Sequence, residues 1–504
     1  MDRYYITTPI YYPNGEPHLG HVYTTICADA VARYHRMAGR EVFFLTGTDE
    51  HGVKMVNTAK ELGVEPAELA DRFSATFREA FERLQISNDD FIRTVEPRHE
   101  NAVQEIVRRM VESGDIYKDT YTGWYDEGEE RFVPENEAAA NDYKSDISGK
   151  PLVRHEEESY FFRLTKYLPK LVEHIETHPN FIQPDARRNK VLAELKGEVS
   201  DLSISRGSLT WGVPMPNDPS HVVYVWIDAL SNYINALGYT SEDETKFEKF
   251  WPVSRHLIGK EILWFHTVYW PAMLMSLGLP LPQQVFAHGW WTADGKKMSK
   301  SMGNFIGLAE VEAFAEKYSL DAVRYYLLWA APFGNDLDFS AGELHRSYEE
   351  LQKVLGNLVQ RVLKMVTNYR DGVVPSGTLE AIDTDLLHKG RELPVKLDAA
   401  WCTFALQDAA TLPIELAREV NAYIDQTEPF KLAKDESQAQ RLDAVLQTAV
   451  VAVHAVLAGL LPVLPEKAAA GLAQLNADAN TAIEPGHKLG KPEALFPRVD
   501  PPVD

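Results

Sequence analysis

Strand-like and helix-like hydrophobic periods alternate over residues 1–114, and no other feature of the chain restricts the fold so strongly. Residues 4–12, YYITTPIYY, have the tyrosine, isoleucine and threonine content of a buried strand. Pro13, Asn14 and Gly15 then break it, as turn residues do. From Gly20 the run GHVYTTICADAVARYHRMAG places Val22, Ile26, Ala30, Val31 and Tyr34 on one helical face. REVFFLTGTDEHG predicts a second strand at 41–46, ending in the polar loop TGTDEHG. Helical patterns follow in PAELADRFSATFREAFERLQI and HENAVQEIVRRMVESG. Such alternation implies an α/β parallel sheet with helices on its faces, and ligands beyond the carboxyl ends of its strands. His18, His21, Thr48, Asp49 and His51 all fall at such ends.

From 115 to 225 the chain is polar, loop-rich and broken by proline and glycine, which reads as an insertion between two halves of the sheet domain. Alternation resumes at HVVYVWIDAL (221–230), continues through RHLIGKEILWFHTVYWPAML, and reaches QQVFAHGWWTADGKKMSKSMGN. Residues 345–470 are nearly all helical in pattern, and LFPRVDPPVD reads as a tail returning over the surface. A net charge of −23 excludes indiscriminate binding to nucleic acid or anionic membrane, but specific RNA contacts need only local basic patches. There is no run of 18 apolar residues and no apolar signal core in MDRYYITTPI, so neither a membrane span nor secretion is expected. Cys27 and Cys402 lie far apart, which predicts no disulfide, a cytoplasmic location and no cysteine-rich zinc site.

PNGEPHLGH sets His18 and His21 where a strand ends and a helix begins. Free backbone N–H groups and the helix dipole favour an anion there, and two imidazole donors suit a polyphosphate. Taken alone, a histidine at that place reads equally as a cap. Lys297-Met298-Ser299-Lys300-Ser301 follows the turn-like ADGK, and its two ammonium groups suit a loop that clamps phosphates. By itself such a loop reads as a solvated basic turn.

Together the two stretches resemble the histidine-x-glycine-histidine and KMSKS signatures of class I aminoacyl-tRNA synthetases. The stretches YYPNGEPHLGH, FLTGTDEHG, DLSISR, YVWIDAL, IGKEI and WFHTVYWPAML are similar to the methionyl-tRNA synthetase family over nearly the whole chain. The resemblance implies a Rossmann-like catalytic domain (1–114 and 226–344) split by a connective insertion (115–225), then an all-α anticodon-binding bundle with a tail (345–504). It implies that methionine attacks ATP to give methionyl-adenylate, which acylates the 3′ end of tRNA(Met). His18, His21, Lys297 and Lys300 would then be catalytic, with Gly20, Gly259, Glu261, His288, Ser299 and Ser301 holding ATP and Mg2+ accompanying it. Asp49 would bind the methionine ammonium. Ile10, Tyr12, Trp226, Ala229, Tyr233, Ile262 and His266 would line the side-chain slot, with Tyr12 and His266 reaching the sulfur.

Family members commonly carry Cys-x-x-Cys knuckles in the insertion. Here Gly123-Trp124-Tyr125 is followed by Asp126, Glu129 and Arg131 without a cysteine, so no zinc is expected and ion pairs could replace the metal. LQKVLGNLVQRVLKMVTNYR, 351–370, has four basic residues and no acidic one. Its apolar stripe is Leu351, Val354, Leu355, Leu358, Val362, Met365 and Val366; Asn357, Arg361, Lys364 and Asn368 form a second, polar stripe. From pattern alone that polar stripe is a solvated face. The resemblance makes Asn357 and Arg361 anticodon contacts, and Phe430 stands where the family commonly has tryptophan. With no module expected after residue 504, a monomer is expected. The alternatives are a catalytically silent tRNA-binding protein, or a synthetase for another aliphatic amino acid. For valine or isoleucine the insertion lacks room for a large editing domain.

Overall fold

The computed structural model describes residues 2–126, 131–133, 135–145, 149–207, 209–293, 296–297, 305–330 and 332–501. The chain divides into two compact units, Met1–Pro17 with Arg40–His288, and His18–Gly39 with Gly289–Asp504.

The first unit is built on a six-stranded sheet of β1 (Arg3–Thr7), β2 (Glu41–Thr48), β3 (Asp90–Arg93), β4 (Ile182–Gln183), β5 (Ser254–Gly259) and β6 (Gln284–His288). Their spatial order is β3-β2-β1-β5-β6-β4, and every pairing is parallel. The first strand stops at Thr7, short of residue 12, because Pro9 and Pro13 interrupt the ladder, and Tyr11 makes only an isolated bridge to Thr48. Tyr5, Leu45, Ile258, Val285 and Ala287 are buried in one continuous core with Ile227, Tyr233, Trp251 and Trp270. Parallel strands covered on both faces read as apolar runs, as these do.

The segment expected as an insertion is itself divided. Ile116–Asp126, Arg131–Val133, Val153–Phe162 and Leu202–Ser203 form a four-stranded sheet with antiparallel pairings. Ile182–Gln183, however, returns to the edge of the parallel sheet, pairing with β6. Two-residue strands carry too little periodicity to be seen in sequence. At the tip of the antiparallel sheet Trp124 packs on a small cluster of Val133, Ala138 and Leu152. Its indole N–H donates to Glu135 at 3.0 Å, its ring lies 4.6 Å from that of Tyr143, and the Arg154 guanidinium sits 4.7 Å over it. Glu129 lies outside the described residues. The Arg131 side chain does too, so the ion pairs expected of Asp126, Glu129 and Arg131 fall outside what the structure describes.

The second unit contains the Leu19–Met37 helix, a small sheet of Trp291–Ala293, Lys296–Lys297 and Leu337–Phe339, and a helical bundle. Ala381–Cys402, Leu406–Thr427 and Ala439–Leu460 are its long members. The last of these belongs to a segment, Glu436–Leu460, that is long and apolar enough to cross a membrane, yet 67% of its apolar window is buried inside the fold. The tail returns as expected, since Leu489 donates to Gly372 and the buried Phe496 ring meets Tyr348 edge-on. The Leu19–Met37 helix is fixed here by Asp29, which pairs with Arg324 at 2.6 Å and Arg33 at 2.7 Å. Asp29 and Arg324 are fully buried, so Asp29→Asn leaves Arg324 without its counter-charge. We expect it to destabilise this unit by about 3–5 kcal/mol in chemical unfolding monitored by tryptophan fluorescence.

Candidate active site

The two histidines of HLGH cap their own helix. His18 is the N-cap of Leu19–Met37, and its Nδ1 accepts from the Gly20 N–H at 3.0 Å. His21 Nδ1 accepts from the His18 N–H at 3.2 Å, and the two rings stack with centroids 3.7 Å apart. A Cβ on Gly20 would come within 2.9 Å of His18 Cε1, so the glycine between the histidines is what lets the ring fold over the helix start. Because each Nδ1 is an acceptor, each neutral ring carries its proton on Nε2, the donor a phosphate oxygen needs. Burial, and then the neighbouring His18, pushes the His21 pKa well below 6.5, so this ring is neutral at pH 7.

In the same unit the helix start is stitched to the segment following KMSKS. Leu19 donates to the Ile306 carbonyl at 3.0 Å, His18 bridges Gly307, and the His18 ring meets Phe305 edge-on. Lys297 sits on the Lys296–Lys297 strand, opposite Thr292. Ser299, Lys300 and Ser301 lie outside the described residues.

In the first unit, Asp49, Gly259 and His288 stand at the carboxyl ends of β2, β5 and β6. A Cβ on Gly259 would lie 2.5 Å from the Glu261 carboxylate and would push it from this position. Asp49 is 3% exposed. Its carboxylate accepts from the Tyr12 hydroxyl and the His51 backbone N–H, while its Oδ1 is buried with no hydrogen-bond partner. A buried carboxylate oxygen left open costs free energy unless a cationic donor completes it. Burial, followed by the Asp228 charge, pushes the Asp49 pKa well above the ordinary carboxylate value.

Val225–Asn235 is helical, so Trp226, Ala229 and Tyr233 do share a face, and Ala229 and Tyr233 are buried. The Tyr233 hydroxyl donates to His266 Nε2 at 2.7 Å, and His266 Nδ1–H donates to the Ile262 carbonyl at 3.0 Å. Burial lowers the His266 pKa to about 4, leaving a neutral ring. The Tyr12 hydroxyl, expected to reach a substrate's sulfur, donates to Asp49, and Tyr233 is a further hydroxyl beside His266. Ile10 and Ile262 pack against the surrounding core.

Sequence reasoning missed two features here. The Trp226 ring lies flat on Phe265, 3.7 Å between centroids and 7° from parallel. Phe265–Tyr269 is a turn of π-helix, which shifts Phe265 and His266 off the α-helical register. No hydrophobic period encodes that turn.

In the second unit Asn357 and Phe430 are exposed, and Arg361 donates to Asp425 at 2.7 Å. The expected helix 351–370 is π-helical over Leu351–Gly356 and α-helical over Asn357–Arg370, so the register changes immediately before Asn357. Leu351, Leu355, Leu358, Val362, Met365 and Val366 are buried as expected; Val354 is only partly so.

The chain matches the family described as tRNA synthetases class I (M) over residues 4–141 and 137–363. It is 44% identical to the methionine–tRNA ligase of Caldanaerobacter subterraneus, aligning 99% of this chain with 79% of that protein. It is 43% identical to that of Thermotoga maritima, over 99% of this chain and 80% of the relative. The solved Mycobacterium tuberculosis methionyl-tRNA synthetase in complex with methionyl-adenylate superposes with a TM-score of 0.92 at 40% identity, covering 99% of this chain and 100% of that one. The apo form of the same enzyme gives 0.86 at 38% identity, covering 100% of this chain and 99% of that one. Fold and sequence together define a class I aminoacyl-tRNA synthetase. Within that class, the chain belongs to the methionyl-tRNA synthetase family.

Proposed function

We propose that the methionine carboxylate attacks the α-phosphate of ATP on this chain, releasing pyrophosphate, and that the methionyl-adenylate so formed acylates the 3′ end of tRNA(Met). The observation that carries this reading is Asp49, a buried carboxylate with one oxygen open. An α-ammonium group completes it. The neutral Tyr233–His266 pair and the Trp226 ring give a polarizable slot whose polar atoms are already satisfied, suited to a thioether.

Phosphoryl transfer of this kind relies on positioning and charge stabilisation. His18 and His21 donate Nε2–H to phosphate oxygens as charge develops there. Lys297 and Lys300 neutralise the departing pyrophosphate, with Ser299 and Ser301 beside them. Gly259 and Glu261 seat the ribose, and Gly20 and His288 lie against the nucleotide. Magnesium travels on the ATP phosphates. Residues 115–225 serve as the connective insertion and 345–504 as the anticodon-binding bundle, and the chain works as a cytoplasmic monomer without zinc. Elemental analysis is expected to find no stoichiometric zinc, and a chelator strong enough to strip zinc should leave charging intact once magnesium is replenished.

Asn357 and Arg361 are one helical turn apart and present an amide and a guanidinium to unstacked bases, with Phe430 available to stack. Replacing both polar residues with alanine should raise the apparent KM for tRNA and shrink discrimination against a changed CAU anticodon by about 1–3 kcal/mol. Methionine-dependent pyrophosphate exchange should stay near normal. Equal loss of both activities would indicate a folding defect, and unchanged anticodon discrimination would return this helix face to plain solvation.

A further inference from the structure

Next to Asp49 lies a buried charge relay that the adenylation mechanism does not use. His51 Nδ1 meets Asp228 Oδ2 at 2.7 Å, and His51 Nε2 faces Glu100 Oε1 at 3.6 Å. Both ring nitrogens point at carboxylates, so His51 is an imidazolium. The other oxygen of Asp228 is held by His99 Nε2–H at 2.6 Å, and His99 Nδ1 accepts from the Asn235 amide at 3.2 Å, which makes His99 the neutral member. His51, His99 and Asp228 are all buried, and the Trp211 ring closes over His51 edge-on at 5.6 Å.

We propose that the His51 imidazolium, gripped by Asp228 and steadied through His99, is the counter-charge that keeps the Asp49 carboxylate ionised for the substrate's ammonium. The proposal rests on Asp49 being the ammonium ligand. Two buried carboxylates, Asp49 and Asp228, and one imidazolium leave the pocket with a single net negative charge. One ammonium neutralises it. Without the imidazolium, two anions would share a low-dielectric pocket, and one would take up a proton. Asp228 has its two neutral-or-charged donors to hold it; Asp49 has an open oxygen, so Asp49 is the one that protonates. The remaining polar or charged neighbours are Tyr12 and Tyr233 at Asp49, Glu100 at His51, and Lys54 over the Tyr12 ring at 5.1 Å. Of these only Lys54 is a cation, and it is an exposed side chain set over the Tyr12 ring rather than on Asp49. At Asp49 the His51 charge pulls the pKa down, against burial and the Asp228 charge, which hold it above the ordinary carboxylate value. Burial opposes charge on His51, yet Asp228 outweighs it and raises the pKa above 6.5; burial likewise opposes charge on Asp228, and His51 draws its pKa below the usual range.

The test compares the unsubstituted chain with H51Q, D49N and the double variant H51Q/D228N, each measured for methionine KM, ATP KM and kcat in pyrophosphate exchange from pH 6.5 to 9. H51Q keeps an amide that can donate to Asp228 but removes the charge. Its methionine KM should rise about tenfold for each unit by which the Asp49 pKa passes the assay pH, and fall about tenfold per unit of added alkali until Asp49 is ionised. Its ATP KM should not move. H51Q/D228N replaces the imidazolium and the second carboxylate together, restores a single negative charge, and should recover most of the lost methionine affinity at pH 7. If H51Q proves too unstable to purify, the double variant still carries the test through its methionine KM. A wild-type methionine KM in H51Q would overturn the proposal, and so would a double variant as poor as or poorer than H51Q. Should D49N itself retain normal methionine affinity, the reading of Asp49 fails instead.

Discussion

Asp49→Ala is expected to abolish methionine binding while leaving ATP binding intact. The carboxylate is buried, and its one open oxygen selects for a cationic group. Truncating one partner of a buried charge pair costs about 2–5 kcal/mol, because the other charge is then left desolvated and alone. An amino acid that binds through one such contact loses nearly all its affinity. Loss should be complete in calorimetry with methionine, and an ATP titration should be unchanged. Normal methionine affinity in the variant would remove Asp49 from the site.

His21→Ala should act on rate rather than on affinity. The helix start fixes His21 with Nδ1 turned to its own cap and the proton on Nε2, so the donor is oriented before substrate arrives. Removing one preorganised donor to developing charge typically lowers a chemical step by about 10²–10³-fold. Single-turnover adenylate formation should fall by that order with methionine KM unchanged. The pH dependence has a definite sign. Burial holds the His21 pKa well below 6.5, so the neutral donor is present throughout the neutral range. The wild-type rate should therefore show no loss from this ring as pH falls from 8 to 6.5. A histidine-like inflection near 6.5 that disappears in the variant would mean that the ring titrates in solution, against its burial.

The parallel sheet was legible because its strands and helices differ in period. The Thr48–Asp49 end of β2 could be read from the way VFFL gives way to TGTDEHG. The site residues were legible in proportion to how much local chain chemistry they carry. HLGH explains itself, since Gly20 is needed for His18 to cap the helix. The Tyr233–His266 pair spans 33 residues and two elements, and no periodicity joins them. The relay from His51 to Asp228 spans 177 residues, and in sequence Asp228 reads only as a polar residue inside a helix. Phe265 was hidden for a different reason. A π-turn changes the register by one residue, so counting in α-helical steps aims it at the wrong neighbours. At the insertion tip the contacts of Trp124 with Tyr143 and Arg154 join residues 19 and 30 positions apart in sequence, and no periodicity announces them.

Amino-acid-dependent ATP–pyrophosphate exchange by the purified chain tests the central claim most directly. Exchange should appear with methionine, stay at background with leucine, isoleucine and valine, and vanish in Asp49→Ala. Exchange driven equally well by another aliphatic amino acid would contradict the assignment of the slot, and no exchange with any amino acid would make the chain a silent RNA-binding relative of the enzymes it resembles.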